Sequence, residues 1–165
     1  MGITFQGNPL TLEGVALQVG VKAQNFSLVK GDLSPWSLND AGDTVKIISC
    51  VPSLDTPVCD VQTKRFNKEA AGLSGVTVVT VSMDLPFAQA RWCAAANANS
   101  HIVASDYAER DFAIKYGALI KELKLLTRAI FVLDKDNTVK YVEYVSEITN
   151  EPNYEAALNA AKALL

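Results

Sequence analysis

Histidine occurs once among the 165 residues, at His101, and cysteine three times, at Cys50, Cys59 and Cys93, with no C-x-x-C anywhere. A zinc site usually takes four ligands in closely spaced pairs, which this set is poorly placed to supply, so no metal or organic cofactor is expected. An odd cysteine count in a chain of this length also argues against a disulfide scaffold. Positive charge is sparse: Lys and Arg total 15 against 18 Asp and Glu, a formal charge of −3. Without a basic cluster, nucleic acid and anionic membrane surfaces are poor partners. No apolar run approaches the roughly 18–20 residues of a membrane span. The first basic residue is Lys22, so the start lacks the positive segment of a secretory signal. Repeats, low-complexity tracts and linkers are missing. The expectation is a cytoplasmic protein with one domain over residues 1–165.

Apolar residues make up 49% and charged residues 20% of the chain, a globular composition. At this length a folded chain buries roughly 70% of its unfolded surface and needs no covalent staple. In a reducing compartment, a cysteine that is not a ligand is either an inert core group or a reactive one.

Residues 3–12 (ITFQGNPLTL) predict two short strands around the turn signal Gly7-Asn8-Pro9. Residues 13–43 read as loops with one short strand near Phe26 to Val29. Residues 45–50 (VKIISC) and 76–82 (VTVVTVS) have the apolar, β-branched character of buried central strands. Residues 57–71, with Val58, Val61, Phe66 and Ala70 as a loose stripe, predict a helix that Gly72 ends. Pro86 opens a second helix to about Asn97, His101–Ala104 is a third strand, and 106–116 is a helix closed by Gly117. Residues 128–133 and 139–145 form a hairpin across Asp134–Thr138, expected at the edge of the sheet, and Pro152 starts a last helix. The order from Val45 is βαβαβαββα. Alternation of this kind implies parallel strands with crossover helices, hence an α/β fold with a mixed central sheet flanked by helices and an N-terminal β-hairpin.

The segment Pro52-Ser53-Leu54-Asp55-Thr56-Pro57-Val58-Cys59 directly follows the first buried strand. Thr56 suits an N-cap and Pro57 the first helical position. Cys59 then falls at the third helical position, where a capping box would carry Glu. A thiolate there would meet free backbone N–H groups and the positive end of the helix dipole. A free cysteine with a pKa near ~8.5 is only about 3% thiolate at neutral pH. Lowering such a pKa by about three units requires roughly 4 kcal/mol, whereas a helix terminus supplies ~2 kcal/mol at most. A cation is therefore needed, and Arg128 is the best candidate. An arginine entering the apolar run RAIFVL implies a buried partner, either the sulfur or a carboxylate such as Asp55 or Glu122.

Ionisation alone does not make a fast nucleophile. Full ionisation gains about 30-fold, while a Brønsted slope of ~0.4–0.5 over three units gives back roughly 15–30-fold. Donors aimed at the attacked oxygen are needed as well, and the Thr56 hydroxyl, Arg128 and the helix amides are the candidates. Cys93, in the next predicted helix, reads either as a core residue beside Trp92 or as a thiol that could close a disulfide with Cys59 once the latter is oxidised to a sulfenic acid.

Pro52, Thr56 and Cys59 fit the P-x-x-x-T/S-x-x-C signature of the peroxiredoxins. The strings FQGNPLTL, VPSLDTPVC, SMDLPFAQARWC and EITNEPNYEAAL resemble one branch of that family, the bacterial thiol peroxidases, over nearly the whole chain. The resemblance implies a thioredoxin-like fold and reduction of hydrogen peroxide and alkyl hydroperoxides. It implies that Cys59 is the peroxidatic cysteine, that Thr56 and Arg128 complete its site, and that Pro52 shields it. It also implies that Cys93 is the resolving cysteine of the same chain, that thioredoxin is the reductant, and that the protein is a homodimer. Two features depart from the pattern. Ala94-Ala95-Ala96-Asn97 stands where a Gly-Ala-Glu-Gly-like run is expected, and Cys50 has no counterpart and reads as a buried bystander.

Two other functions fit parts of the pattern. A cysteine–histidine hydrolase would use Cys59 and His101, although His101 ahead of an apolar pair reads more readily as a packed or surface residue. A redox sensor would form the same disulfide without turnover. Phe87, Trp92 and Tyr116 read as core or interface residues, and the Lys and Glu residues of 121–124 as a solvated face.

Overall fold

The structure is a computed structural model describing residues 2–70, 72–96 and 102–165. In chain order its elements are β1 (Ile3–Phe5), β2 (Asn8–Leu10), β3 (Leu12–Glu13), β4 (Ser27–Lys30), β5 (Pro35–Ser37), a 3-10 turn (Leu38–Ala41), β6 (Val45–Cys50) and α1 (Pro57–Ala70). There follow β7 (Val76–Ser82), α2 (Pro86–Ala96), β8 (Ile102–Ser105), α3 (Asp111–Lys115), β9 (Leu119–Ile120), β10 (Ala129–Leu133), β11 (Val139–Tyr144) and α4 (Tyr154–Lys162). Seven strands form the main sheet in the order β11-β10-β6-β7-β8-β4-β5. Only β6, β7 and β8 run parallel to one another; the strands on both flanks pair antiparallel.

β6 is buried at every position. Alternate side chains serve opposite faces, as the two-residue period of a strand requires. Val45 and Ile47 pack with Phe66 of α1 and with Tyr154 and Leu158 of α4. Ile48 and Cys50 face the other layer, with Phe26, Phe112, Tyr116 and Phe131. There the rings of Phe26 and Tyr116 meet edge to face at 5.0 Å, a favoured geometry for aromatic pairs. Lys46 is also buried, but its ammonium leaves the sheet end and donates to the carbonyl of Lys135 at 3.1 Å.

Several expectations need correction. The first hairpin turns at Gln6-Gly7, both left-handed, and Pro9 lies inside β2, opposite Thr4. A two-stranded ribbon tolerates a proline whose missing N–H faces no ladder partner. The segment 13–43 holds β3 and β5 besides β4. The strand beginning at Ala129 is not an edge: β10 lies between β11 and β6. The helix expected over 106–116 shrinks to Asp111–Lys115, because Arg110 adopts a left-handed conformation (φ 53°). The Asp106 carboxylate instead accepts the amides of Phe112 and Ala113 at 3.1 and 2.8 Å. The last helix starts at Tyr154, capped by the Asn153 side chain, which accepts from the Ala156 amide at 3.0 Å.

The buried stripe of α1 is not the one expected either. It runs Cys59, Gln62, Thr63, Phe66, Ala70, while Val61 is 48% exposed. The spacing is that of a helix face turned to the core, but its N-terminal half is polar. Among the described residues no helix is long and apolar enough to cross a membrane.

Candidate active site

β6 ends at Cys50, and the chain turns through buried Val51 and Pro52 into α1. The Asp60 amide donates to the Thr56 carbonyl at 3.0 Å, which opens the helix after Thr56 and puts Cys59 in its first turn. The Thr56 side chain does something else than expected. Its hydroxyl donates back to the Ser53 carbonyl at 2.9 Å, closing the loop 53–56, so its oxygen is left with lone pairs. Threonine readily forms such short-range turns.

Cys59 is fully buried and Arg128 is 2% exposed. The guanidinium spends its three nitrogens separately. Nε donates to the Ile148 carbonyl at 2.8 Å, Nη1 to Gln62 Oε1 at 2.8 Å, and Nη2 to Cys59 Sγ at 3.2 Å. Gln62 in turn donates through Nε2 to Ser49 Oγ at 2.6 Å. The alternative carboxylates are engaged elsewhere. Asp55 makes an exposed pair with Arg91 at 3.5 Å, and Glu122 accepts the Thr11 amide at 3.0 Å. The guanidinium is thus a buried cation oriented from two sides toward a sulfur.

Beside this group opens a cavity of about 290 Å³ lined by Phe5, Pro52, Thr56, Leu123, Leu125, Ile148 and Arg128, among others. Its walls are mostly apolar. Cys93 is half-buried in α2 and packs against the cluster of Val51, Leu54, Cys59, Trp92 and Val103. Burial pushes the Cys93 thiol up. The Trp92 indole donates to Asp60 Oδ1 at 2.8 Å and ties α2 to the first turn of α1.

The family model described as Redoxin matches residues 18–158. A thiol peroxidase of Halalkalibacterium halodurans is 55% identical over 163 residues, 99% of this chain and 98% of that protein. The chain belongs to the redoxin family and, within it, to the thiol peroxidases. A thiol peroxidase of Bacillus subtilis is 52% identical over 99% of this chain and 98% of its own length. The crystal structure of a peroxiredoxin-like protein from Aquifex aeolicus shares 47% identity and superposes with a TM-score of 0.94, covering 99% of this chain and 97% of that one. The thiol peroxidase from Chromobacterium violaceum, at 20% identity and a TM-score of 0.90, shows the same fold. The fold is thioredoxin-like, and the protein is a thiol-dependent peroxidase.

Within this thiol peroxidase Pro52, Thr56 and Arg128 line one cavity, Arg128 links it to the buried Cys59 sulfur, and Cys93 packs against the cluster that holds Cys59. His101 lies outside the described residues, as does Asn97; α2 runs through Ala94, Ala95 and Ala96. Cys50 faces the opposite layer, where its thiol donates to the Thr127 carbonyl at 3.0 Å and burial pushes its pKa well up. Trp92 and Tyr116 are buried, but Phe87 is 68% exposed. Gln62 and Ser49 escaped the sequence reading. The available signal was a polar residue three positions after Cys59, on the same helix face.

Proposed function

We propose that Cys59 is the peroxidatic cysteine of this thiol peroxidase and that its substrates are hydrogen peroxide and alkyl hydroperoxides. The observation that carries this reading is the 3.2 Å contact from Arg128 Nη2 to Cys59 Sγ, made by an arginine that also lines an apolar cavity. A thiolate at Cys59 would neutralise the buried guanidinium, which makes no carboxylate ion pair among the described residues. The peroxide enters past Pro52 with its organic part against Phe5, Leu123 and Leu125. Arg128 and the free amides of the first helical turn donate to the peroxide oxygens, and the Thr56 oxygen accepts the hydroperoxide proton. Cys59 sulfur attacks the terminal oxygen, the O–O bond breaks, and the leaving oxygen takes a proton to become water or an alcohol. Cys59 is left as a sulfenic acid.

Cys93 then acts as the resolving cysteine. Its thiol attacks the Cys59 sulfur, water leaves, and an intrachain disulfide forms. The raised Cys93 thiol supports this division of labour, because a thiol kept protonated is a poor competitor for peroxide. Thioredoxin, acting as a dithiol, opens the bridge by exchange and is itself oxidised to a disulfide. The reading extends to a cytoplasmic homodimer of one-domain chains spanning residues 1–165, with Phe5 and Leu123, 37% and 38% exposed at the cavity rim, as apolar surface for the partner copy.

The test is peroxide consumption coupled to thioredoxin, thioredoxin reductase and NADPH. Wild type turns over, Cys59→Ser does not react, and Cys93→Ser consumes one equivalent and stops. Turnover by Cys59→Ser would remove the proposal. Sedimentation of the reduced protein tests the dimer.

A further inference from the structure

The loop that delivers Cys59 is gripped from outside by a carboxylate, besides the exposed Asp55–Arg91 pair. Asp84, between β7 and α2, accepts from Ser53 Oγ at 2.7 Å and from the Leu54 amide at 2.8 Å. Ser82 Oγ also donates to it at 2.7 Å. Asp84 stands just ahead of α2, yet its oxygens face the loop leading into α1 and not the first turn of its own helix.

The anchor is firm on its other sides. Ser105 Oγ of β8 donates to the Asp84 carbonyl. Ser82 Oγ accepts from Gln89 Nε2 of α2 at 3.0 Å, and Gln89 also donates to the Ala104 carbonyl at 3.0 Å. Asp84 is therefore fixed to β7, β8 and α2, while what it grips is the loop. Ser53 passes that grip on. Its hydroxyl accepts the Asp55 amide at 3.2 Å, and its carbonyl accepts the Thr56 amide at 3.2 Å and the Thr56 hydroxyl at 2.9 Å.

A disulfide needs Cα atoms within roughly 4.4–6.8 Å and suitably directed Cβ atoms. Cys59 and Cys93 sit on separate helices, each engaged in its own turn. We propose that Asp84 is a positioning residue that holds Ser53–Thr56 in the peroxide-reactive arrangement, and that its bonds to Ser53 and Leu54 break when Cys93 meets the oxidised Cys59. The inference rests on the assignment of Cys59 and Cys93 made above. Asp84 thereby sets a partition. The Cys59 sulfenic acid either condenses with the Cys93 thiol, giving disulfide and water, or reacts with a second hydroperoxide, giving a sulfinic acid and an alcohol. A tight clamp favours the first oxidation and delays condensation.

The experiment is rapid-quench mass spectrometry of thiol, sulfenic acid, disulfide and sulfinic acid in wild type, Asp84→Asn and Ser53→Ala. Oxidation of Cys59 is timed separately in a Cys93→Ser background, and thermal melting checks folding. Asparagine keeps the shape but cannot accept from all three donors. Loss of one hydrogen bond to a charged group predicts about tenfold slower oxidation of Cys59, about tenfold faster disulfide formation, and less sulfinic acid at equal peroxide. Ser53→Ala moves the same quantities in the same directions by less. A merely structural role slows both steps together, and that result overturns the proposal. So does a change below about twofold in both variants, too small for a lost charged hydrogen bond. If Cys59→Ser consumes peroxide, the underlying assignment fails first, and this inference with it.

Discussion

Arg128 reaches Cys59 because two neighbours hold its guanidinium in place: Ile148 takes Nε through its carbonyl, Gln62 takes Nη1, and Nη2 is left 3.2 Å from the sulfur. The register of the sheet prepares this, since Ala129 pairs with Cys50 and brings Arg128 beside the end of β6. Lysine would bring charge without the fork. Arg128→Lys is expected to lower the second-order rate constant for peroxide by about 10²–10³, the usual cost of losing an oriented transition-state donor. Stopped-flow oxidation measures it, and a fall of less than about threefold would contradict the role, because one such donor is worth far more.

Gln62 acts through Arg128. Its removal leaves Nη1 and Ser49 Oγ without their buried partner. Gln62→Ala should cost about 1–3 kcal/mol in urea unfolding. Its second effect, a slower reaction with peroxide at unchanged thiol content, distinguishes orientation of the arginine from general loosening. An unfolding penalty with wild-type peroxide kinetics would confine Gln62 to stability.

Cys50 gives the opposite expectation. It faces the aromatic layer and donates to the Thr127 carbonyl. Cys50→Ala removes a sulfur from a packed site and one weak hydrogen bond, so a loss of roughly 1–2 kcal/mol is expected. Coupled peroxidase turnover should stay at the wild-type rate. Loss of turnover in a folded Cys50→Ala protein would place this thiol in the chemistry.

The apolar cavity predicts a split between substrates. Hydrogen peroxide has no organic part to pack on Phe5 and Leu125, whereas cumene hydroperoxide does. Phe5→Ala and Leu125→Ala should each raise KM for cumene hydroperoxide by about tenfold, the scale of one lost apolar contact. Rates with hydrogen peroxide should hold. Equal effects on both substrates would mean that these side chains shape the site and do not bind substrate.

What the sequence discloses depends on how local the physics is. β6 and β7 are legible because a strand buried on both faces must be apolar throughout. The start of α1 is legible at Pro57 because proline at the first helical position is a rule of adjacent residues, whereas the Thr56 hydroxyl turns back to the Ser53 carbonyl, which a capping rule does not foresee. β3, β5 and β9 are short pieces paired with distant partners, as Leu12 is with Ile120, and no local period marks them. A charge entering an apolar strand implies a buried partner for Arg128 without choosing between the Cys59 sulfur and a carboxylate, and the Gln62 and Ile148 bonds that aim it depend on three-dimensional packing. The left-handed Arg110, which cuts α3 short, is likewise invisible to a hydrophobic pattern.

Glu147 gives the pH dependence. Its carboxylate accepts the Gly7 amide at 2.9 Å, the Thr4 hydroxyl at 2.8 Å, the Gln6 amide at 3.1 Å and both donors of Thr149. These bonds, the Gly7 amide first among them, hold its pKa down at about 2. A carboxylate depressed in the folded state adds stability above its ordinary pKa and loses it as pH falls toward the folded value. The hairpin β1–β2 should therefore stay pinned above about pH 4.5 and release progressively toward pH 2. The next residue, Ile148, donates its amide to the Thr4 carbonyl at 3.0 Å and offers its own carbonyl to Arg128, so the hairpin and the site share a strap. Protection factors of the Gln6 and Gly7 amides, followed by hydrogen exchange from pH 5 to pH 2, should fall in wild type. In Glu147→Gln they should start lower and stay flat. A wild-type profile as flat as the variant's would mean that other contacts pin the hairpin. Phe5 sits at the end of β1 and lines the cavity, so Glu147→Gln should also raise KM for cumene hydroperoxide at neutral pH, in the direction of Phe5→Ala but by less.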